Sequence, residues 1–225
     1  GPVLAVDADA NSNLNEVLGV KVDTTLGDVR EEIAQAEMAA KSPIPAGMSK
    51  ADYAEVRFED ALIEDDDFDL LVMGRTQGKG CYCYVNGLLQ AQLAKYQNNY
   101  PYFVVDNEAG MEHISRGVLP SMQTAILVSD CSRRGIQAVG RIARLIEECN
   151  MHPSTVGLIV NRAPKGELNP GVLEEIENQG LNLLGVVPQN DAVYEYDCEG
   201  RPTASLPEDN PVKQALRKIV DNLNL

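Results

Sequence analysis

Positive charge is scarce in this sequence, and so are the long apolar runs that would place it in a membrane. Lysine and arginine total 19 against 34 aspartates and glutamates, which gives a formal net charge of −15. Because phosphate backbones and anionic lipids are bound by basic faces, this balance argues against binding of nucleic acid and against stable membrane association. No stretch reaches the roughly 18 apolar residues that a membrane helix needs, and no signal peptide is recognisable.

A regular cysteine framework is also lacking. The chain has five cysteines, an odd number without the spacing of a disulfide scaffold, so we predict a reducing, cytoplasmic compartment. Three of them, Cys131, Cys149 and Cys198, have no spaced partner and are predicted to be ordinary packing or surface thiols.

A phosphate-binding loop of the form G-x-x-x-x-G-K-[ST] is absent as well. The segment from Gly74 to Lys79 resembles one, but only three residues separate its glycines, and Gly80 follows the lysine. The chain begins without methionine, directly on the apolar run at residues 3–6. Since a domain seldom begins on a core strand, we expect that N-terminal sequence precedes Gly1.

Short apolar runs alternate with amphipathic segments along the whole chain. Because continuous apolar runs are typical of strands covered on both faces, this succession predicts one doubly wound α/β domain over residues 1–225, with a mainly parallel sheet. The predicted strands cover residues 3–6, 70–73, 102–105, 124–128, 156–160 and 183–187. The predicted helices cover residues 26–40, 85–96, 136–149, 172–179 and 212–223.

Polar residues follow several of these strands, and in a parallel sheet the carboxyl ends of the strands form the binding edge. Asp7 and Asp9 could orient an attacking water or reach Mg²⁺ through its water shell, although an Asx turn capping the next helix explains them better when taken alone. Asp106 ends a buried run and resembles a Walker-B-type aspartate. Asn161 matches the edge of adenine, but an ordinary strand-to-turn asparagine is the commoner explanation. His113 could be a ligand or base, with a surface helix position as the commoner alternative.

Two cysteines one residue apart form the most specific motif. In an extended chain Cys81 and Cys83 project to the same side. Two thiolates do not complete a relaxed site for a metal of the zinc type, which takes four ligands, and a second copy of the chain could supply the other two. We therefore predict a metal-binding loop and an interface helix within residues 75–100.

The order of these motifs resembles that of the nickel-insertion ATPases that mature carbon monoxide dehydrogenase and acetyl-CoA synthase, the CooC and AcsF type. In sequence order the motifs are V-D-A-D-x-N, G-C-Y-C, D-N-E-A-G-M-E-H, V-N-R and G-V-V-P. These ATPases belong to a wider group that contains MinD, ParA and the nitrogenase iron protein. The resemblance covers nearly the whole chain. The C-Y-C and D-N-E-A-G segments are specific, whereas the D-A-D strand end is shared across the group.

The resemblance implies a deviant P-loop NTPase fold that binds ATP or ADP with Mg²⁺. Asp7 and Asp9 would belong to the first switch, near Mg²⁺ and the hydrolytic water, and Asp106 would bind Mg²⁺ through water. Cys81 and Cys83 would hold Ni²⁺ or Zn²⁺ at the two-fold interface of a homodimer. The remaining nucleotide-binding residues implied are Asn11, Glu108, Ala109, Gly110, Asn161, Arg162, Pro188, Gln189 and Asn190.

In that family a phosphate loop with an extra lysine precedes the D-A-D strand by about one helix. That region is absent here, so we expect the chain as given to hydrolyse ATP poorly, and we attribute the absence to a missing N-terminal segment.

The leading hypothesis is a cytoplasmic, ATP-dependent nickel-insertion protein whose client is carbon monoxide dehydrogenase or acetyl-CoA synthase. One alternative is a ParA/MinD-like positioning ATPase, although no polybasic anchor is present. Another is an electron-transfer protein with a bridging iron–sulfur cluster, as in the nitrogenase iron protein, although residues 106–113 contain no cysteine.

Overall fold

The computed structural model describes residues 3–38, 44–75, 90–91, 93–96, 99–110 and 122–223. The chain divides into two compact units, Gly1–Ala109 and Gly110–Leu225, which are described here one at a time. Each contains a sheet of mainly parallel strands accompanied by helices, so the predicted α/β class is confirmed.

The first unit is built on a sheet with the strand order β2-β3-β1-β4. Strand β1 is central and runs parallel to β3 and β4, whereas the short β2 is antiparallel to β3. Its elements are β1 (Val3–Ala8), α1 (Leu14–Leu18), α2 (Leu26–Met38), α3 (Lys50–Glu59), β2 (Ile63–Glu64), β3 (Phe68–Val72) and β4 (Tyr102–Asn107). Residues 90–91 and 93–96, within the predicted helix at 85–96, are also helical.

The second unit contains a parallel sheet with the order β5-β6-β7. Its strands are β5 (Thr124–Asp130), β6 (Thr155–Ala163) and β7 (Leu183–Pro188). Its helices are α4 (Arg133–Glu148), α5 (Pro170–Asn178), α6 (Asp191–Cys198) and α7 (Pro211–Leu223), with 3₁₀ turns at Pro164–Gly166 and Thr203–Ser205.

Each unit buries part of the apolar runs from which its strands were predicted: β1 and β3 are largely buried, β5 is buried on alternate residues, and β4 is largely exposed. Ala5, Leu70 and Val72 form the centre of one cluster in the first unit. In the second unit β5 and β6 pack against α4 and α5, and α7 covers β7 through Ile219. Burial of this apolar surface is the main favourable contribution to folding.

Strand β4 has an open edge within the described part of the chain, because β1 is its only described neighbour. Two apolar side chains of β4 are well exposed, Tyr102 at 45% and Val104 at 58%. No helix among the described residues combines the length and the apolar character that crossing a membrane requires.

Candidate functional site

Two carboxylates lie side by side where β1 and β4 end. Asp7 is the register partner of Asp106 in the parallel pairing of these strands. Asp7 is fully buried, and Asp9 follows it on the loop that leaves the sheet. Asp106 as a whole residue is exposed, but desolvation of its carboxyl beside β1, and then the negative charges of Asp7 and Asp9, raise the pKa of that carboxyl above its usual value. The strand ends therefore concentrate negative charge at one place.

The side chain of Asp7 holds the loop that follows β1. Its Oδ1 accepts a hydrogen bond from the Asp9 backbone N–H at 3.1 Å, and its Oδ2 accepts one from the Leu14 N–H at 3.0 Å. The second bond supplies a backbone amide at the start of α1 with an acceptor. Asp7 thus makes the turn and the helix-capping contact that were the structural alternative for this residue.

The carboxylate of Asp9 also accepts a local backbone hydrogen bond, but Asp9 is more exposed than Asp7. Its Oδ1 accepts from the Asn11 N–H at 2.8 Å, and its backbone carbonyl accepts from the Ser12 N–H and the Ser12 hydroxyl. Ser12 has a φ of 51°, in the left-handed region that residues other than glycine seldom occupy. The Asp9 carboxylate is only partly buried, so it is accessible to a ligand or to water.

This loop also contacts the end of β3, which the sequence did not reveal. The Gly74 backbone N–H donates to Ser12 Oγ at 3.1 Å, and Arg75 donates to the side-chain oxygen of Asn11. Asn11 was predicted to bind nucleotide, and the structure places its exposed side chain against Arg75. Because the partners are more than 60 residues apart, no local pattern could have indicated these contacts.

The residues predicted for the second switch follow β4 directly. Glu108 is partly buried, whereas Ala109 and Gly110 are exposed. Gly110 has a φ of 113°, which strongly favours glycine at that position. The predicted switch residues thus follow the adjacent ends of β1 and β4.

The predicted base-binding residues lie at the strand ends of the second unit. Ala163, after Asn161 and Arg162 in β6, pairs with Pro188 of β7, and the Gln189 N–H donates to the Ala163 carbonyl at 2.9 Å. The end of β6, directly after the predicted residues Asn161 and Arg162, therefore lies beside the predicted residues Pro188 and Gln189.

The two predicted asparagines in this cluster, Asn161 and Asn190, also shape the local backbone. Asn161 Oδ1 accepts from the Arg162 N–H at 2.8 Å, and Arg162 has a φ of 57°. Asn190 Oδ1 accepts from the Ala192 N–H at 3.1 Å, which caps α6, and from the Asn210 amide at 3.2 Å. Asn190 therefore fixes the loop beside Gln189.

The predicted metal-binding residues Cys81 and Cys83 lie outside the described residues, as do all of residues 76–89. His113 lies outside them too. The other three cysteines are free thiols, with Cys131 partly buried and Cys149 and Cys198 exposed, as predicted.

The carboxylates at the ends of β1 and β4 suit Mg²⁺ as a partner. Mg²⁺ keeps several waters and is commonly held through one or two carboxylates together with substrate phosphates. Within the described residues, no group of three or more histidine, cysteine, aspartate or glutamate side chains is arranged to hold a metal ion by itself. The concentrated negative charge at Asp106 fits a cation that arrives with phosphates.

Comparison with known proteins places this architecture among nucleotide-binding proteins. The family profile described as CbiA, the CobQ/CobB/MinD/ParA nucleotide binding domain, matches residues 2–203. An uncharacterized ATP-binding protein of Methanocaldococcus jannaschii is 38% identical over 221 residues, which cover 98% of this chain and 86% of that protein.

Two further similarities are more distant. The carbon monoxide dehydrogenase accessory protein CooC of Rhodospirillum rubrum is 25% identical over 210 residues, which cover 88% of this chain and 76% of that protein. The crystal structure of the cell division ATPase MinD of Pyrococcus furiosus superposes with a TM-score of 0.68 at 20% identity, covering 99% of this chain and 85% of that one. The similarity to the MinD structure supports the assignment of the α/β fold.

Proposed function

Because this chain belongs to the CobQ/CobB/MinD/ParA nucleotide-binding family, we propose that it is an ATPase whose cycle drives the insertion of nickel into a client enzyme. The observation that carries the nucleotide part is the pairing of Asp7 with Asp106 at adjacent strand ends, next to Asp9. The metal part is supported by the sequence Cys81-Tyr82-Cys83 and by the similarity to CooC.

The carboxylates would divide the work of phosphoryl transfer. Mg²⁺ bound with ATP would supply neutralisation of the charge that develops on the phosphates. Asp106 would accept hydrogen bonds from the water shell of Mg²⁺. Asp7 keeps the loop after β1 in place through the Asp9 and Leu14 amides, and Asp9 would accept a hydrogen bond from the attacking water and orient it.

The strand ends of the second unit would bind the base. The Asn161 amide retains donors and a second acceptor lone pair after its bond to the Arg162 N–H, which is what the edge of adenine requires. Gln189 lies on the loop fixed by Asn190 and would line the same pocket. Glu108, Ala109 and Gly110 would sense the γ-phosphate as the second switch.

The output of the cycle would be transfer of a metal ion held by thiolates. Cys81 and Cys83 of each chain would hold Ni²⁺, the cargo, at the two-fold axis of a homodimer, with Zn²⁺ as a competing ion. Thiolate ligands release metal when they are protonated or when the site opens. Reopening of the dimer after hydrolysis would therefore deliver the metal to carbon monoxide dehydrogenase or acetyl-CoA synthase.

The proposal is tested by metal analysis and ATP turnover of the full-length protein. A Cys81→Ser/Cys83→Ser variant is compared with Cys149→Ser/Cys198→Ser, which removes two exposed thiols elsewhere. We expect the wild type and the control to bind nickel or zinc stoichiometrically and to form a metal-bridged dimer, and the first variant to lose both properties. A wild type without stoichiometric metal, or a first variant that dimerises like the wild type, would contradict metal insertion.

A second candidate is a positioning ATPase, which the family profile favours because MinD and ParA belong to the same family. Such a protein would bind DNA or an anionic membrane as its output. The net charge of −15 opposes both surfaces. Co-sedimentation with anionic liposomes and a DNA pull-down at physiological salt discriminate between the two candidates, since clear ATP-dependent binding would favour positioning.

A further inference from the structure

Asn210 connects the start of helix α7 to the loop that follows β7. Its Oδ1 accepts a hydrogen bond from the Val212 backbone N–H at 2.9 Å, which caps α7. Its Nδ2 donates to Asn190 Oδ1 at 3.2 Å. The two asparagines are 20 positions apart in the sequence, so this is a tertiary contact between two loops. Asn210 is only 8% exposed, which makes its hydrogen bonds costly to lose.

The backbone fixes the orientation of both side-chain amides. The Val212 N–H requires an oxygen from Asn210. The Ala192 N–H, at 3.1 Å, likewise requires an oxygen from Asn190. Reversing either amide would leave a backbone donor at the start of a helix without its acceptor. Both contacts of Asn190 use its oxygen, so neither of them uses its amide nitrogen, which can donate to a ligand.

Helix α7 is itself fixed on the sheet, so Asn210 is a rigid support. Ile219 of α7 packs in one cluster with Ile159 of β6 and Val187 of β7. A Cβ at Gly185 would lie 2.5 Å from Ile219 Cγ1, so the helix lies in close contact with β7. Packing of this density leaves α7 little room to shift. Asn210 therefore ties the loop after β7 to a helix that packs on the same strand.

The same loop has a second support on the side of β6. The Gln189 N–H donates to the Ala163 carbonyl at 2.9 Å, next to Arg162 with its φ of 57°. Gln189 and Asn190 are thus held from β6 and from α7. A loop held at two points keeps its side chains in place before a ligand binds, and this reduces the entropy cost of binding.

We propose that Asn210 is a positioning residue for binding of the nucleotide base and that it acts through Asn190. The inference rests on the proposed function, in which Gln189, on the loop fixed by Asn190, lines the pocket for adenine. Asn210 holds the Asn190 oxygen beside the Ala192 N–H and leaves the Asn190 nitrogen as a donor. Ring nitrogens on the edge of adenine are the acceptors that such a donor fits.

This role predicts an effect on binding that is specific to the base. Without the donor from Asn210, the Asn190 side chain loses one of the two partners that hold its oxygen. The ligand must then order the loop as it binds. A hydrogen bond of this kind typically changes an equilibrium constant by a factor of about 3 to 10. We therefore expect weaker nucleotide binding with little change in the chemistry at the phosphates.

The test measures binding of AMPPNP with Mg²⁺ to the full-length protein by calorimetry. Asn210→Ser keeps a residue that favours the start of a helix, but its side chain is too short to reach Asn190. Asn169→Ser is the matched control, because Asn169 caps α5 in the same unit by accepting from the Gly171 N–H at 2.9 Å. Asn190→Ala removes the side chain through which Asn210 acts. Thermal unfolding establishes that each variant is folded.

We expect Asn210→Ser to raise the Kd for AMPPNP about 3- to 10-fold and Asn169→Ser to leave it unchanged. In the Asn190→Ala background, Asn210→Ser should have little further effect, because residues in one hydrogen-bond network are not additive. A residue that only stabilises α7 would give the same fold-change in both backgrounds. An unchanged Kd in Asn210→Ser, or its full effect retained with Asn190→Ala, overturns the inference and leaves the nucleotide function standing.

Asn210→Asp provides a second variant that keeps the helix cap. One aspartate oxygen still accepts from the Val212 N–H, whereas the other replaces the donor and repels the Asn190 oxygen. We expect the KM for ATP to rise at least as much as in Asn210→Ser, with kcat at saturating ATP changed less than KM. An equal loss in kcat would show a general disturbance and overturn the inference. A wild type that does not bind AMPPNP would overturn the proposed ATPase function as well.

Discussion

Asp7 lies directly beside Asp106 in the parallel pairing of β1 and β4. The surroundings of Asp7 supply hydrogen bonds to its carboxylate, whereas those of Asp106 are unfavourable for a charged carboxylate. The oxygens of Asp7 accept two backbone hydrogen bonds, whereas burial and neighbouring negative charge disfavour ionisation of Asp106. One aspartate therefore stabilises the loop, and the other is expected to lower stability until a cation binds.

Asp106→Asn should stabilise the protein at neutral pH and impair its activity. Since the folded-state pKa of Asp106 is raised, folding binds its proton more tightly, and this group's contribution to stability falls as pH rises from its unfolded value through the raised one. We expect a small gain at pH 7 that vanishes under acid conditions, because Asp106 is exposed and solvent screens its charge, with ATP turnover of the full-length protein reduced about 100-fold.

Thermal unfolding from pH 3 to pH 8 and an ATPase assay check this prediction. Asp209→Asn is the control, because Asp209 is exposed in the other unit. A stability loss at pH 7 in Asp106→Asn, with the control unchanged, would show that the charge of Asp106 is compensated in the folded protein.

Asp7→Ala should destabilise the first unit strongly. The substitution leaves the amides of Asp9 and Leu14 without their acceptor, and each unsatisfied buried group costs about 1–3 kcal/mol. Asp9→Ala is the comparison, because its carboxylate caps one exposed amide, that of Asn11, and should cost about 1 kcal/mol or less. Urea unfolding measures both, and equal losses would argue against a structural role specific to Asp7.

Gly74→Ala should be more damaging than the same change at another left-handed glycine. Gly74 has a φ of 67°, and a Cβ there would lie 2.3 Å from Thr25 Oγ1. Gly200 has a φ of 65° with open space around it, so its replacement isolates the backbone cost of about 1–2 kcal/mol. We expect Gly74→Ala to cost about 1–3 kcal/mol more, through steric overlap. Similar free energies of unfolding for the two variants would show that Thr25 moves aside.

Glu175 should make the second unit sensitive to acid. Its carboxylate is buried between Gln179 Nε2 at 2.9 Å and Arg133 Nε at 2.6 Å, and these hydrogen bonds lower its pKa. Because the folded pKa is depressed, the stabilisation is present above the unfolded value, near 4.5, and is lost as pH falls through the folded value.

Glu175→Gln should remove this dependence, and Glu177→Gln, exposed on the same helix, should leave it unchanged. Unfolding followed between pH 2 and pH 7 provides the measurement. Identical acid transitions in the wild type and Glu175→Gln would contradict the assignment.

Much of the fold follows from the sequence because its strands are continuous apolar runs. Every strand predicted in this way is present, and the runs extend by a few residues in the structure, as in β6 (Thr155–Ala163). Helix α3 was missed because its apolar face is weak. A signal was available, since Ser49 caps the helix by accepting from the Asp52 N–H.

The candidate site was predictable only where residues follow strands of a parallel sheet. That rule places Asp7 beside Asp106, and it places the end of β6, two residues after Asn161, beside Pro188, because neighbouring strands end at the same edge. The rule does not reveal which groups form hydrogen bonds with the side chains of these residues. The Ser12–Gly74 contact joins two loops that carry no periodic pattern, and helix α6 begins where Asn190 was predicted only as a pocket residue.

Within the described residues of the first unit, β4 pairs only with β1, so its other edge has the features of a template for strand pairing. An edge strand offers a row of backbone donors and acceptors, and Tyr102 and Val104 add exposed apolar surface to it. Natural sheets commonly protect such edges with lysine, proline or a covering segment. Self-association through this edge would be distinct from any dimer bridged by metal.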